Sequence, residues 1–182
     1  MPSLLAVGFS LFTGLTCDAP AVDDGRSFDS SCSVELLAGG SVRLPRLDRI
    51  RLEAEARFER RSFESSAFVT NTLVRTEFLE LALLSDWPFL EGGRFRLSAV
   101  AGPELGLRLR ARRRFGDVDQ DVTDELLPAD LKVVGGLRVS GRTGRGAIFV
   151  EGRFGFGLTN LDDTSQQSLH SRALSFLFGY SR

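Results

Sequence analysis

No stretch of this chain stays apolar for the ~18 residues that a bilayer-crossing helix needs, so no transmembrane helix is expected. Lysine is nearly missing: of 23 basic side chains, Lys132 is the only lysine. Arginine keeps its charge in low dielectric and forks onto carboxylates, so this bias suits packed ion pairs better than a solvated surface. The net charge of −1 removes any bulk electrostatic case for nucleic acid. No glycine-rich phosphate loop, metal-ligand cluster or nucleic-acid motif is present, and no cofactor is expected. With 182 residues the chain is long enough for one domain with a full core, and it is read as a single domain over 1–182.

What is present is alternation. Ile50, Leu52, Ala54, Ala56 and Phe58 interleave with Arg51, Glu53, Glu55, Arg57 and Glu59. A period of two is a strand. The pattern predicts eight strands, over about 4–15, 32–44, 50–62, 71–85, 94–110, 130–142, 146–160 and 172–181. Each has the ~9–11 residues that cross a bilayer at a tilt. Short connections (Pro45–Arg49, Asp86–Gly93, Thr143–Arg145) alternate with long ones (Cys17–Ser31, Phe63–Thr70, Ala111–Ala129, Leu161–Ser171). Outer-membrane barrels have that asymmetry, with the short turns on the periplasmic side. The fold class is therefore all-β, an eight-stranded antiparallel up-and-down transmembrane barrel, integral to a bacterial outer membrane.

The first predicted strand is also open to a second reading. Leu4 to Leu15 resembles a signal-peptide core, but no basic residue precedes it. As a strand it places Leu5, Val7, Phe9 and Leu11 on one face and Ala6, Gly8 and Ser10 on the other. The strand is preferred, and an exported precursor then needs a signal that this chain lacks.

Elsewhere the apolar faces carry Leu97, Ala99, Ala101, Leu105, Leu107 and Leu109; Ile148, Val150, Phe154, Phe156 and Leu158; and Leu174, Phe176, Phe178 and Tyr180. The charged faces collect Arg43, Arg51, Arg57, Arg96, Arg108, Arg110, Lys132, Arg138 and Arg153 against Glu35, Glu53, Glu55, Glu59, Glu80, Glu104 and Glu151. Nine bases nearly balance seven acids, and buried charge is tolerated when it is paired and hydrogen-bonded. An eight-stranded barrel is just wide enough for side chains to fill it. The expectation is a closed lumen filled by ion pairs, with the apolar faces meeting lipid. The alternative is a soluble, lipocalin-like lipid carrier with the opposite polarity, but its lumen could not hold so many Leu and Phe together with a ligand.

The C-terminal half carries a resemblance. Phe78-Leu79-Glu80-Leu81-Ala82-Leu83-Leu84 is followed by Ala101-Gly102-Pro103-Glu104-Leu105-Gly106. Then come Glu151-Gly152-Arg153-Phe154-Gly155-Phe156-Gly157-Leu158-Thr159-Asn160 and a closing Leu174-Ser175-Phe176-Leu177-Phe178-Gly179-Tyr180. Together, over about residues 71–182, these resemble the PorT-like outer-membrane β-barrel family of Gram-negative bacteria. Ala82 stands where that family has proline, and Arg182 where it closes on an aromatic residue. The resemblance implies an eight-stranded integral barrel and little about activity. Outer-membrane lipid, lipopolysaccharide and the barrel-insertion machinery are the expected partners, a secretion complex is an open one, and a monomer is expected.

Candidate chemistry is sparse. Cys17 and Cys32 flank the first long connection. In an oxidising compartment a disulfide closing a ~15-residue loop stabilises by about 3 kcal/mol on the chain-entropy model. Two free thiols, or a Cys17 in a signal region, remain alternatives, and Gly14-Leu15-Thr16 is a poor lipid-attachment motif. Asp117, Asp119, Asp121, Asp124 and Glu125 hint at calcium, but Val122 and Pro128 stand where an EF-hand loop needs Gly and Glu. Arg112, Arg113 and Arg114 at that loop's base offer donors for lipid phosphates, but a solvated rim cluster is the preferred reading. His170, beside Ser168 and Ser171 and near Asp162 and Asp163, is the one hint of a lipid A-modifying enzyme. Sequence neighbours do not make a triad, so no catalysis is expected. Trp87, placed in a short turn, and Tyr180 give only a thin interfacial belt at the periplasmic side.

Overall fold

A computed structural model describes residues 8–22, 34–44, 50–65, 72–115, 118–121, 123, 128–159 and 169–182. These form β1 (Phe9–Val22), β2 (Val34–Arg43), β3 (Arg51–Ser65), β4 (Thr72–Gly92) and β5 (Phe95–Phe115), then β6 (Val118–Asp121), β7 (Ala129–Thr143), β8 (Gly146–Gly157) and β9 (Leu169–Ser181). The sheet order is β4-β3-β2-β1-β9-β8-β7-β5, and a β4–β5 ladder closes it. All neighbours are antiparallel. The result is a closed barrel of eight strands, with β6 a short addition to the end of β5.

The polarity is inverted relative to a water-soluble protein. Leu11, Leu83, Leu137, Phe154, Phe156, Phe176 and Phe178 are exposed on the outside. The inward-facing Glu53, Arg57, Glu80, Glu151 and Arg153 are at most 2 % exposed. From Arg172 to Tyr180 the outward face of β9 spans nine residues, or eight rises. At ~3.3 Å each and a tilt of about 40° that covers roughly 20 Å, close to the apolar band of outer-membrane barrels.

Most strands are longer than their periodicity suggests, whereas β2 and β8 end at Arg43 and Gly157, short of it. β1 continues past residue 15 to Val22, while residues 1–7 lie outside those described. β4 runs through Trp87-Pro88, where a turn was expected. Proline lacks the N–H that a ladder needs, and the β4–β5 register shifts between Pro88 and Leu90 to accommodate it. Trp87 is thereby a half-exposed strand residue on the outer surface. The actual reversal is Gly93-Arg94, with Gly93 at φ 53°, and Gly144-Arg145 repeats it between β7 and β8 with Gly144 at φ 52°. Both glycines occupy the left-handed region that side chains disfavour.

A second register shift corrects a facing. Phe78 pairs with Arg108 but Glu77 with Arg110, so Leu109 is an extra residue on β5. Beyond it the alternation inverts: Ala111 is fully buried and Arg110 is exposed on the outside. Arg110 therefore leaves the inward-facing set to which simple alternation assigns it.

Candidate functional site

The lumen is filled by charged side chains arranged along the barrel axis. At the level nearest the short turns, Arg138 of β7 donates through Nη1 to both oxygens of Glu53 at 2.9 Å and through Nε to Glu151 Oε2 at 2.7 Å. Asp86 is 3.5 Å from the same Nη1. Arg43 adds a 3.4 Å contact to Glu53. One level further in, Arg153 of β8 grips Glu55 through Nη1 and Nη2 at 2.8 and 3.0 Å and donates through Nε to Glu151 Oε1 at 2.8 Å.

Arg57 of β3 then reaches Glu104 at 2.9 Å, Glu59 at 3.2 Å and Glu55 at 3.3 Å. Towards the loop end, Arg61 donates to Glu59 at 3.1 Å and to Glu80, and lies 3.6 Å from Asp130. Lys132 is enclosed by Glu80, Asp130 and Glu104 at 3.3, 3.6 and 3.7 Å. Phenyl rings floor two guanidiniums: Arg61 stacks 4.3 Å over Phe78, and Arg138 lies 5.0 Å over Phe149. Bidentate and stacked arginines at this density explain why lysine is nearly missing.

Of the residues expected in this network, Glu53, Glu55, Arg57, Glu59, Glu80, Glu104, Lys132, Arg138, Glu151 and Arg153 come together as buried pairs. Arg51 and Arg96 lie towards the short-turn rim. Arg51 meets Glu91 at 3.6 Å, and Arg96 donates to Asp86 at 2.5 Å. Arg108 stands apart, its Nη2 donating to the carbonyl of Thr123 at 2.8 Å. Glu35 is half-buried and makes no ion pair with a described residue. Three members, Arg61, Asp86 and Asp130, were not foreseen, although Arg61 is in phase with Glu59 and Asp130 with Lys132.

The charge balance also differs from expectation. Eight buried carboxylates (the six glutamates above with Asp86 and Asp130) face five buried cations. Arg43, Arg51 and Arg96, partly exposed at the short-turn end, bring the cations to eight. Glu80 Oε2 and Glu104 Oε2 accept no hydrogen bond within the described residues. The interior is not wholly polar either. Phe12, Leu37, Phe149 and Leu177 form an inward apolar cluster beside the Arg138 level.

The remaining candidates scatter. Cys17 is disulfide-bonded, and Cys32 lies outside the described residues. His170 and Ser171 are consecutive residues of β9 instead of loop residues, whereas Ser168, Asp162 and Asp163 lie outside the described residues. Asp117, Asp124 and Glu125 lie outside them as well, and among the described residues no acidic, histidine or cysteine group clusters as metal ligands do. Beyond the membrane span, Asp121 accepts hydrogen bonds from the Thr123 hydroxyl at 2.6 Å and amide at 3.0 Å. These hold its carboxyl below the ordinary aspartate value. Thr159 donates to Asp130 at 2.8 Å and accepts from the Leu131 amide at 3.2 Å. That threonine of the Gly-Leu-Thr-Asn segment thus staples the end of β8 to the start of β7 and orients a member of the network.

Known proteins place this geometry. A major outer membrane protein from Thermus thermophilus superposes with a TM-score of 0.59 at 9 % identity, covering 97 % of this chain and 98 % of that one. OprG from Pseudomonas aeruginosa gives 0.56 at 10 % identity, covering 97 % and 95 %. Ail, the attachment invasion locus protein of Yersinia pestis, solved with the heparin analogue sucrose octasulfate, gives 0.52 at 11 % identity, covering 97 % and 99 %. At these identities the likeness is one of fold. No curated protein matches the sequence significantly. The family model described as "outer membrane protein beta-barrel domain" matches residues 5–163. The apolar exterior, the eight-stranded closure and this match agree on an integral outer-membrane protein, and the chain belongs to the outer membrane protein beta-barrel domain family.

Proposed function

We propose that this protein is a non-conducting, non-enzymatic barrel that acts as a monomeric outer-membrane platform for its long connections. The carrying observation is the ion-pair network, which crosses the lumen at successive levels centred on Arg138, Arg153, Arg57 and then Arg61 with Lys132, and joins strands that are not neighbours in the sheet. Arg138 alone joins β7 to β3, β4 and β8. Ions passing along the axis would have to break buried pairs, each far costlier to open than a solvated one. Within the family, the segments around Glu80, Glu104 and Thr159 support a PorT-like assignment, since all three supply side chains to the network or its staple.

Lipopolysaccharide is the proposed lipid partner. Just beyond the apolar band at the loop end, Arg75 and Arg112 stand directly opposite each other on β4 and β5, both exposed. Like charges in that position repel unless an anion sits between them, and lipid phosphate has the required geometry. The test is conductance. Barrels reconstituted in planar bilayers are expected to give no single-channel steps, while heat-modifiable gel migration verifies that they are folded. Reproducible ion-conducting steps from folded protein would refute the reading. The Arg75→Ser/Arg112→Ser variant is expected to retain less co-purifying lipopolysaccharide.

A further inference from the structure

The mouth at the short-turn end is a concavity of 1170 Å³. Eight arginines line it, against the carboxylates of Asp86 and Glu91. Four of them, Arg43, Arg51, Arg96 and Arg138, are already paired with the acids of the lumen or with Glu91. The other four, Arg94, Arg142, Arg145 and Arg182, are exposed and make no ion pair with a described residue. Arg94 and Arg145 occupy the same place in two matching Gly-Arg turns, and Arg142 continues the inward-facing series of Arg138 and Ser140 on β7.

We infer that this vestibule binds a soluble, multiply charged phosphate compound from the periplasmic side. Three independent features favour that class of ligand. The surplus guanidiniums sit on one concave wall, where a low-dielectric surround focuses the field of like charges. Their forked donors match tetrahedral oxyanions. The Glu53–Arg138–Glu151 level closes the bottom, so a ligand is held at the mouth instead of passing through. The volume exceeds what a single phosphate fills and lies just above the usual range for small-molecule sites. Asp86, Arg96, Arg138, Ser140 and Arg142 of the lining belong to the axis-facing series of their strands, while Phe89 and Phe95 are exposed at its edge, so the charged wall opens along the axis, which favours a soluble anion over a lipid headgroup.

The full chain, folded in detergent and in nanodiscs, is titrated calorimetrically with inorganic tripolyphosphate. Saturable one-to-one binding is expected, weakened by added salt and at least about tenfold by Arg94→Ser/Arg142→Ser/Arg145→Ser. A far-end control, Arg110→Ser/Arg112→Ser, should leave the affinity unchanged. Folding of each variant is verified by heat-modifiability, and none of the substituted residues belongs to the lumen network. The inference is overturned by absent saturation in the native chain, by an unchanged triple variant, or by equal loss in the far-end control. It is also overturned if nanodiscs containing phosphatidylglycerol abolish the binding seen in phosphatidylcholine, because the arginines would then serve lipid.

Discussion

Replacing Arg153 by methionine separates a dry, packed lumen from a wet one. Arg153 is 2 % exposed and holds Glu55 through two parallel bonds of 2.8 and 3.0 Å and Glu151 through a third of 2.8 Å. Methionine keeps much of the stem's volume, so the cavity contribution is small, and the dominant loss is that of a cation between two carboxylates. If water is excluded, removing one partner of a buried pair costs about 3–5 kcal/mol, since the remaining charge is desolvated and unmatched. If water fills the lumen, the same contact is worth only about 0–1 kcal/mol.

Urea titration of the barrel in detergent micelles reads the difference, with the folded fraction scored by unboiled gel migration. At a slope of about 2 kcal/mol per molar urea, the dry case lowers the midpoint by about 2 M. The Glu55→Leu/Arg153→Met double variant, compared with each single variant, should recover part of that loss, because Arg57 retains Glu59 and Glu104, and Glu151 retains Arg138. The cycle should show a favourable coupling above about 1.5 kcal/mol. A midpoint shift under about 0.5 M for the single variant, with additive behaviour of the double, would refute the packed-lumen reasoning.

Other outcomes test the surrounding architecture. Gly102→Ala would place a Cβ 2.0 Å from the Leu83 carbonyl oxygen, where β4 and β5 approach beside Pro103. A loss above about 2 kcal/mol is expected in the same urea assay, whereas Gly135→Ala meets nothing within 4 Å and should be nearly neutral. Phe176→Arg on the lipid-facing wall should cost about 2–4 kcal/mol and slow insertion into liposomes, followed by the appearance of the heat-modifiable form. The Asp121 carboxyl should titrate by NMR below the ordinary 3.8 and return towards it in Thr123→Ala. Because its folded value is lowered, the contribution of that turn is present above the ordinary value and is lost as pH falls through the folded one.

Most of the barrel was legible because lipid outside and charge inside impose a two-residue period that nothing else in the chain imitates. β3 shows this best: Glu53, Glu55, Arg57 and Glu59 were assigned inward and are at most 5 % exposed. The signal fades where the membrane ends. Arg60 faces out and pairs with Glu77 at 3.2 Å, so Arg60-Arg61-Ser62 loses its apolar beats and the inward Arg61 is hidden. Asp86 was masked by Trp87-Pro88, which reads as a turn but is absorbed by a register shift. The Arg110 facing was lost for the opposite reason: Leu107-Arg108-Leu109-Arg110 alternates cleanly, and nothing in its composition marks the extra residue at Leu109. The inward apolar cluster did leave a trace, since Phe12, Leu37, Phe149 and Leu177 each sit in a short run that is apolar on both faces.

The network also helps to explain how a barrel with few aromatic anchors holds one register. A slip of one residue along any strand exchanges its two faces. On β3 that would send Glu53, Glu55, Arg57, Glu59 and Arg61 into acyl chains and bring Leu52, Ala54, Ala56 and Phe58 to the axis. A slip of two keeps the faces but moves each guanidinium by about 6–7 Å along the strand. Arg138 would then leave the level it shares with Glu53, Asp86 and Glu151, contributed by three other strands. Packing of leucine against lipid cannot detect that second error, because one acyl chain is much like the next. Three-way guanidinium–carboxylate junctions detect it, which gives the buried charges a role in specifying closure that is separate from any contribution to net stability.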